Sequence, residues 1–464
     1  MKLFRFWLPT VIAAVSLSSA AFASCNCYSS DLTDEIDERD FDAVVEYVNS
    51  KRTIELQEKA TNLAISGDVR AEWQHITEKV NGIARRGAGA RDCVGDTDPV
   101  DAVSGTPDGQ RITTSDFDIE FNLYFDYKCD RTWAVAQLQF DNSMGVQEFN
   151  KEISSQNIIV DANAQNVGSS CQRFDNQGPF GSGRVDGISL RRAYIGYNIC
   201  TDGCSRFDVE VGRRRFYDSF DSRIEFNSIF DGVLFRYATQ LDCAADAYVN
   251  LGGFVIDERA NHFGWIIEIG ALNVADSGID VKYSFVDWDK KRQNRAFATN
   301  PRGWQFHVHQ LLGYYHFSDD LLCMPAKAYG AFLINTKALR RIETNNTRAR
   351  YGWYLGAIVG EVCREGDWSL DINYQYVQAQ AIPDPDVSGI GRGNVLGESF
   401  TMRTGDAANS RGNANYKGWR VEGLYALTDN LSIDAVFQYS RAANSSIGGN
   451  AHYSKWKLQA IYAF

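Results

Sequence analysis

Residues 116–128 read Asp116-Phe117-Asp118-Ile119-Glu120-Phe121-Asn122-Leu123-Tyr124-Phe125-Asp126-Tyr127-Lys128. Phe117, Ile119, Phe121, Leu123, Phe125 and Tyr127 fall on one side of a period-2 repeat. Asp116, Asp118, Glu120, Asn122, Tyr124, Asp126 and Lys128 fall on the other. Successive side chains of a strand point to opposite faces, so this is a strand with one apolar and one charged face. The pattern recurs. Ile279, Val281, Tyr283 and Phe285 oppose Asp280, Lys282 and Ser284. Leu370, Ile372, Tyr374 and Tyr376 oppose Asp371, Asn373 and Gln375, and Leu431, Ile433, Ala435, Phe437 and Tyr439 oppose Ser432, Asp434 and Gln438.

Working outward, about sixteen such runs follow from residue 64: 64–76, 115–128, 131–141, 186–200, 204–214, 231–242, 244–256, 262–274, 278–288, 304–317, 325–336, 350–362, 367–380, 416–427, 431–441 and 452–464. Most exceed the roughly 5–6 residues usual in soluble sheets and suit a tilted transmembrane strand of about 9–11. Their connectors alternate. Short ones fall at Cys129-Asp130, Thr201-Asp202-Gly203, Ala275-Asp276-Ser277, Arg364-Glu365-Gly366 and Thr428-Asp429-Asn430; long ones fall at 77–114, 142–185, 215–230, 289–303, 337–349 and 381–415. A soluble sandwich has no reason to put every long loop at one end, whereas an outer-membrane barrel does. The fold expected is all-β: a transmembrane antiparallel β-barrel of about sixteen strands over 64–464. In the last run Trp456, Leu458, Ala460, Tyr462 and Phe464 share a face. A Phe closing an alternating aromatic strand reads as an assembly signal for the barrel-assembly machinery.

Composition agrees. Aromatics make up 13% of the 464 residues, with 39 Gly and only 8 Pro, which favours sheet because Pro removes ladder donors. The net charge of −12 argues against a nucleic-acid binder. Mean hydropathy is −0.32, yet alternation needs no long apolar run to face lipid.

Ahead of the barrel, Lys2 and Arg5 precede an apolar stretch over 6–14, and Ala21-Phe22-Ala23 offers an A-x-A site. A signal peptide over 1–23, cleaved after Ala23, is expected, addressing the chain to the outer membrane. Cys25 after Phe22-Ala23-Ser24 raises a lipoprotein alternative, against which Phe22 counts. The segment 24–63 is expected to be a short periplasmic helical piece: Leu32, Ile36, Val44, Val45 and Val48 approach a 3.6 period, acids lead and Lys51, Arg52 and Lys59 follow.

The chemistry of an enzyme is missing. No GxSxG, HExxH or phosphate-binding loop occurs, so no catalytic residue, metal site or cofactor is assigned. His307-x-His309 lacks a third ligand and reads as two polar lumen residues. The segment Gly212–Ser228 does read as functional. It sets Arg213, Arg214, Arg215 and Arg223, with Asp218, Asp221 and Glu225, among Phe216, Tyr217, Phe220 and Phe226. An aromatic, charged loop of this kind folds back into a barrel and narrows it, and facing Arg and carboxylate rows filter solutes. The alternative is a loop packed on the external rim. Other basic lumen candidates, Arg236, Lys282, Arg420, Lys455 and Lys457, are matched by acids.

The same segment, continued through Ile229-Phe230-Asp231-Gly232-Val233-Leu234, resembles the outer-membrane porins of amoeba-associated, Parachlamydia-like chlamydiae over about 25 residues. More distantly the chain looks like phosphate-selective porins, which also place a helical segment before the barrel and a glycine-then-basic strand end before an inward loop. Elsewhere the resemblance rests on layout, including Ser66-Gly67-Asp68-Val69-Arg70 and Phe464. It implies a water-filled pore for passive diffusion of small hydrophilic solutes and ions. It does not imply phosphate selectivity, because that family's lysine-rich loop does not occur here. A plugged barrel binding host or envelope partners through external loops is the alternative.

Ten cysteines in an exported chain suggest disulfides. Cys25, Cys27, Cys129, Cys200, Cys204, Cys243, Cys323 and Cys363 are expected at the short-turn end, and Cys93 and Cys171 in the first two long loops. Two arrangements are open: neighbouring turns bridge internally, or neighbouring molecules cross-link. The resemblance implies the second, since chlamydial envelopes look to be held by disulfides. Cys93 is expected to pair with Cys171 within one chain, and the short-turn set to make at least some bonds to other copies or to other envelope proteins.

Overall fold

The computed structural model describes residues 62–86, 115–142, 188–241, 244–257, 262–288, 305–318, 324–340, 344–383, 386–391 and 414–464. The expected signal peptide, nearly all of the 24–63 segment, and Cys25, Cys27, Cys93, Cys171, Cys243 and Cys323 lie outside the described residues.

Sixteen long antiparallel strands form one closed sheet, with one four-residue addition. They are β1 (Leu63–Val80), β2 (Ile83–Arg86, the short addition), β3 (Ser115–Cys129), β4 (Thr132–Asn142), β5 (Ile188–Asp202), β6 (Ser205–Arg215), β7 (Ile229–Gln240), β8 (Asp246–Asp257) and β9 (His262–Leu272). They continue with β10 (Ile279–Asp287), β11 (His307–Phe317), β12 (Ala326–Asn335), β13 (Tyr351–Gly360), β14 (Trp368–Val377), β15 (Tyr416–Ala426), β16 (Leu431–Ala442) and β17 (Ala451–Ala463). Each long strand pairs with its chain neighbours, and β1 pairs with β17 from Asp68↔Ala463 to Val80↔Ala451. Closure removes the sheet edges. Leu63, the expected last residue of the helical segment, already pairs with Tyr127 in the sheet.

Two points differ from the sequence reading. The first strand runs on to Val80, and β2 folds back on it through Asn81 and Gly82, both at positive φ. A β-bulge also breaks β5: Gln137 pairs with Arg192 but Leu138 with Leu190, leaving Arg191 unopposed. Gln139 and Arg192 are both buried on the inner face, and Arg191 Nε donates to the Gln139 side-chain oxygen. The bulge therefore turns two successive arginines inward, which strict alternation forbids.

The outer face is predominantly apolar. Trp456 and Leu458 are 55% and 49% exposed there, while Asp434 on the inner face is 1% exposed. Aromatics gather in two belts. Tyr127, Tyr197, Tyr315, Trp368, Tyr425 and Tyr462 lie near the short-turn rim, and Trp265, Tyr351, Trp353, Trp419 and Tyr439 lie near the long-loop rim.

Outside two apolar clusters that cover part of it, the inner face is polar and paired. Asp68 accepts from Arg70 Nε (2.6 Å), Asn122 Nδ2 (3.0 Å) and the Tyr124 hydroxyl (3.2 Å). Arg420 meets Glu422 at 2.7 Å, and Lys457 meets Asp434 at 3.0 Å and Glu72 at 3.7 Å. Lys455 reaches Glu72 at 4.0 Å and Arg236 reaches Glu210 at 3.9 Å.

His307 and His309 are a correction: they point outward, not into the lumen. Their inward neighbours are Val308 and Gln310, both buried. His307 Nε2 lies 3.2 Å from Asp287, whose other oxygen accepts from Trp265 Nε1 at 3.0 Å. His309 Nδ1 lies 2.8 Å from the Tyr283 hydroxyl. The phase is inverted because inner-face Val308 and Leu312 pack in an internal apolar cluster instead of facing outward.

Candidate functional site: an inward loop pinned across the barrel wall

The β6–β7 connection leaves the sheet at Arg215 and returns at Ile229. Its aromatics decide its path. Phe216, Phe220 and Phe226 are all fully buried, and pack with Phe230, Leu234, Phe254, Ile266 and Val286 from the inner faces of β7–β10. Phe216 stands edge-on to Phe254 with ring centroids 4.8 Å apart. A little further along, Ile224 enters a second apolar cluster with Tyr329, Leu333 and Tyr354 of β12 and β13. Two separate apolar feet thus hold the loop against the inner wall. Phe226 takes φ +81°, a left-handed conformation costly for a bulky residue and sustained by these contacts.

Polar tethers follow strand by strand. Asp218 receives Arg192 of β5 at 2.9 Å. Arg214 Nη1 donates to Ser219 Oγ at 2.8 Å, and Asn250 of β8 donates to Ser219 O at 2.9 Å. The Asp221 backbone N–H donates to Glu268 of β9 (2.8 Å), and its carboxylate accepts from Lys282 of β10 (2.8 Å) and from the Tyr314 hydroxyl of β11 (2.9 Å). Arg223 lies over the Tyr329 ring of β12 at 5.1 Å and reaches Asp371 of β14 at 3.3 Å. These pairs are buried, so each contributes only because its partner is present; removing one charge leaves the other uncompensated.

A second segment locks the far end. Residues 386–388, in the connector after β14, lie against 224–228. Asp386 accepts from the backbone N–H groups of Phe226 (3.3 Å) and Ser228 (3.0 Å), and its own carbonyl accepts from Asn227 N–H (3.1 Å). Ser388 donates from its N–H to Ile224 O (3.0 Å) and from Oγ to Glu225 O (2.7 Å). Sequence reading missed Asp386 and Ser388, because nothing local marks a residue in a long connector as the partner of a loop some 160 positions earlier.

The residues singled out in this loop divide by face. Arg214, Asp221 and Glu225 are buried on the inner side, and Asp218 and Arg223 are mostly covered there. Arg213 and Arg215 correct the expected constriction. They continue the outward set of Val209 and Val211, and Arg213 pairs bidentately with Asp231 at 2.7 Å. Extending the strand's period two residues further would have revealed this.

Of the cysteines among the described residues, Cys204 is disulfide-bonded and Cys129 and Cys200 are free. Together with exposed Cys363 they sit at the short-turn rim.

No family model and no curated protein matches this chain. Solved structures do. A high-pH structure of Pseudomonas putida OprB is 11% identical, with a TM-score of 0.47, over 87% of this chain and 94% of that one. Salmonella typhi OmpF in complex with daunomycin is 12% identical, with a TM-score of 0.44, over 87% and 97%. A mutant porin of Rh. blastica is 9% identical, with a TM-score of 0.41, over 87% and 100%.

Proposed function

We propose that this chain is an outer-membrane porin, a passive channel for small hydrophilic solutes and ions. The observation that carries this reading is the inversion of a soluble protein. The outside of the closed sheet is predominantly apolar with two aromatic belts, and the inside carries buried ion pairs that a soluble core would not hold. In lipid every backbone group needs an internal partner, which a closed barrel supplies. A barrel of sixteen strands has the circumference of channel-forming porins. The loop 216–228 is the proposed constriction, with Asp218, Asp221, Arg223 and Glu225 as its charged members and Arg214 of β6 beside them.

The remaining parts of the reading follow from it. Residues 1–23 serve as a signal peptide and 24–63 as a periplasmic helical segment. The barrel-assembly machinery inserts the chain through its last strand, and rim cysteines link it to other copies or envelope proteins, as the resemblance to chlamydial porins implies. One observation favours the plugged-barrel alternative: the inner wall from β7 to β13 is covered by tightly packed Phe, Tyr and Leu side chains. Single-channel recording in planar bilayers separates the two. Stable ion-conducting steps support the porin. Folded barrel that never conducts supports the plugged structure.

A further inference from the structure

Glu225 is 1% exposed, and neither of its carboxylate oxygens has a hydrogen-bond partner among the described residues. A buried ionised carboxylate in that state is prohibitively costly, so the group must carry a proton or lose its burial. The base in its own loop, Arg223, is committed to Asp371 of β14, and Lys282 of β10 is committed to Asp221. The charged group that bears on Glu225 is another carboxylate, Asp386 of the opposing segment, and it acts to keep the proton on. Asp386 is itself wholly buried and accepts from Phe226 N–H and Ser228 N–H. Two carboxylates thus meet where residues 224–228 and 386–388 are clasped together.

We propose that Glu225 and Asp386 form a proton-dependent latch, which holds the inward loop against residues 386–388 when Glu225 is protonated and releases it when both acids ionise. This goes beyond the channel reading and uses it only for the consequence that a released loop alters the conducting path.

The sign follows from the environment. Burial, and then Asp386, raise the Glu225 acid well above the ordinary carboxylate range. Burial raises Asp386 to about 7, against the opposing effect of its bonds from Ser228 and Phe226. An acid whose value is raised in the closed state stabilises that state fully at low pH, and the stabilisation is lost as pH rises through the raised value. The latch is therefore tight in acid and opens as pH rises through the raised values of the two acids. Ser222 and Ser388, which bond only backbone groups of Glu225, do not titrate and leave the sign unchanged.

Hydrogen exchange read by mass spectrometry over 219–230 tests this in the full-length protein folded in lipid. Wild type is compared with Glu225→Gln at each pH from 5 to 9, so that the intrinsic pH dependence of exchange cancels. Gln cannot ionise and keeps the shape of the protonated acid. Wild-type protection should fall relative to Glu225→Gln by about tenfold per pH unit once Glu225 ionises. Asp386→Asn, which cannot accept at both oxygens, should lower protection at every pH. Equal protection of wild type and Glu225→Gln across the range overturns the latch, whether or not the protein conducts. A wild-type protein that shows the fall yet never conducts upholds the latch and defeats the channel reading.

Discussion

The ring of Phe464 lies over the bare Cα of Gly67, and the two residues exchange both backbone hydrogen bonds, Gly67 N–H to Phe464 O at 3.0 Å and Phe464 N–H to Gly67 O at 2.9 Å. A Cβ on Gly67 would come within 2.6 Å of that ring and 2.7 Å of Asn122 O. On its far side the ring stacks on Phe121, with centroids 6.1 Å apart. Glycine is needed here for space, and Phe464 completes the outer surface across the seam between β1 and β17.

Gly67→Leu should push Phe464 off the seam, and deletion of Phe464 should remove the last hydrogen-bonded pair. Both changes should lower the fraction of chain that migrates as folded barrel in unheated gels, several-fold in membranes, while synthesis and export continue. Unchanged folded fractions for both would show that the seam is held elsewhere.

The two faces of the arginine-rich segment predict opposite outcomes for ion selectivity. Arg214→Ser should shift the reversal potential in a salt gradient toward cations, because a buried inner cation beside Glu210 is lost. Arg213→Ser should leave it unchanged, because that side chain is paired with Asp231 on the outside. Equal shifts from both would place the conducting path somewhere other than the inner face.

Arg223 and Asp371 form a buried pair, so breaking it by removing one member should cost more than removing both. Arg223→Met and Asp371→Leu alone should each destabilise by about 3–5 kcal/mol, and the double variant by clearly less. Denaturant unfolding in detergent gives the three values. Additive losses would mean the two side chains are energetically independent.

The rim thiols give a fourth outcome. Outer membranes lysed with thiols blocked and run without reductant should show large complexes that collapse to the single chain on reduction. Cys129→Ser with Cys200→Ser should diminish them, since these two thiols are free within the chain. A single-chain band under both conditions would leave Cys204 and its bond as internal chemistry alone.

The barrel was legible because its determinants are local. Alternation at Phe117–Tyr127 or Leu431–Tyr439 records which side chain faces which medium, and each strand repeats that record independently. The inner surface was less legible because its determinants are not local. His307 and His309 were assigned to the wrong face because Val308 and Leu312 are apolar for a different reason: they pack within the barrel, and alternation alone cannot tell that cluster from lipid. The bulge at Arg191 changes phase within a single residue and leaves no compositional mark. Asp386 had no signal at all, since its role exists only once 386–388 meets 224–228.

The register that sets Asp68 opposite Ala463 also governs the order of events in folding. Every other long strand finds its partner one connector away, but one side of β1 waits for the last strand. Closing a loop of that size costs roughly 5 kcal/mol on the (3/2)RT ln n scaling, and little is gained until the final residues arrive. Until then the molecule is a curled ribbon with two unsatisfied edges and a greasy convex surface, the form most prone to pairing with its neighbours. Its fate in the cell is therefore decided by kinetics before thermodynamics. Escort of the open ribbon to the bilayer, more than the stability of the finished barrel, should limit how much protein survives.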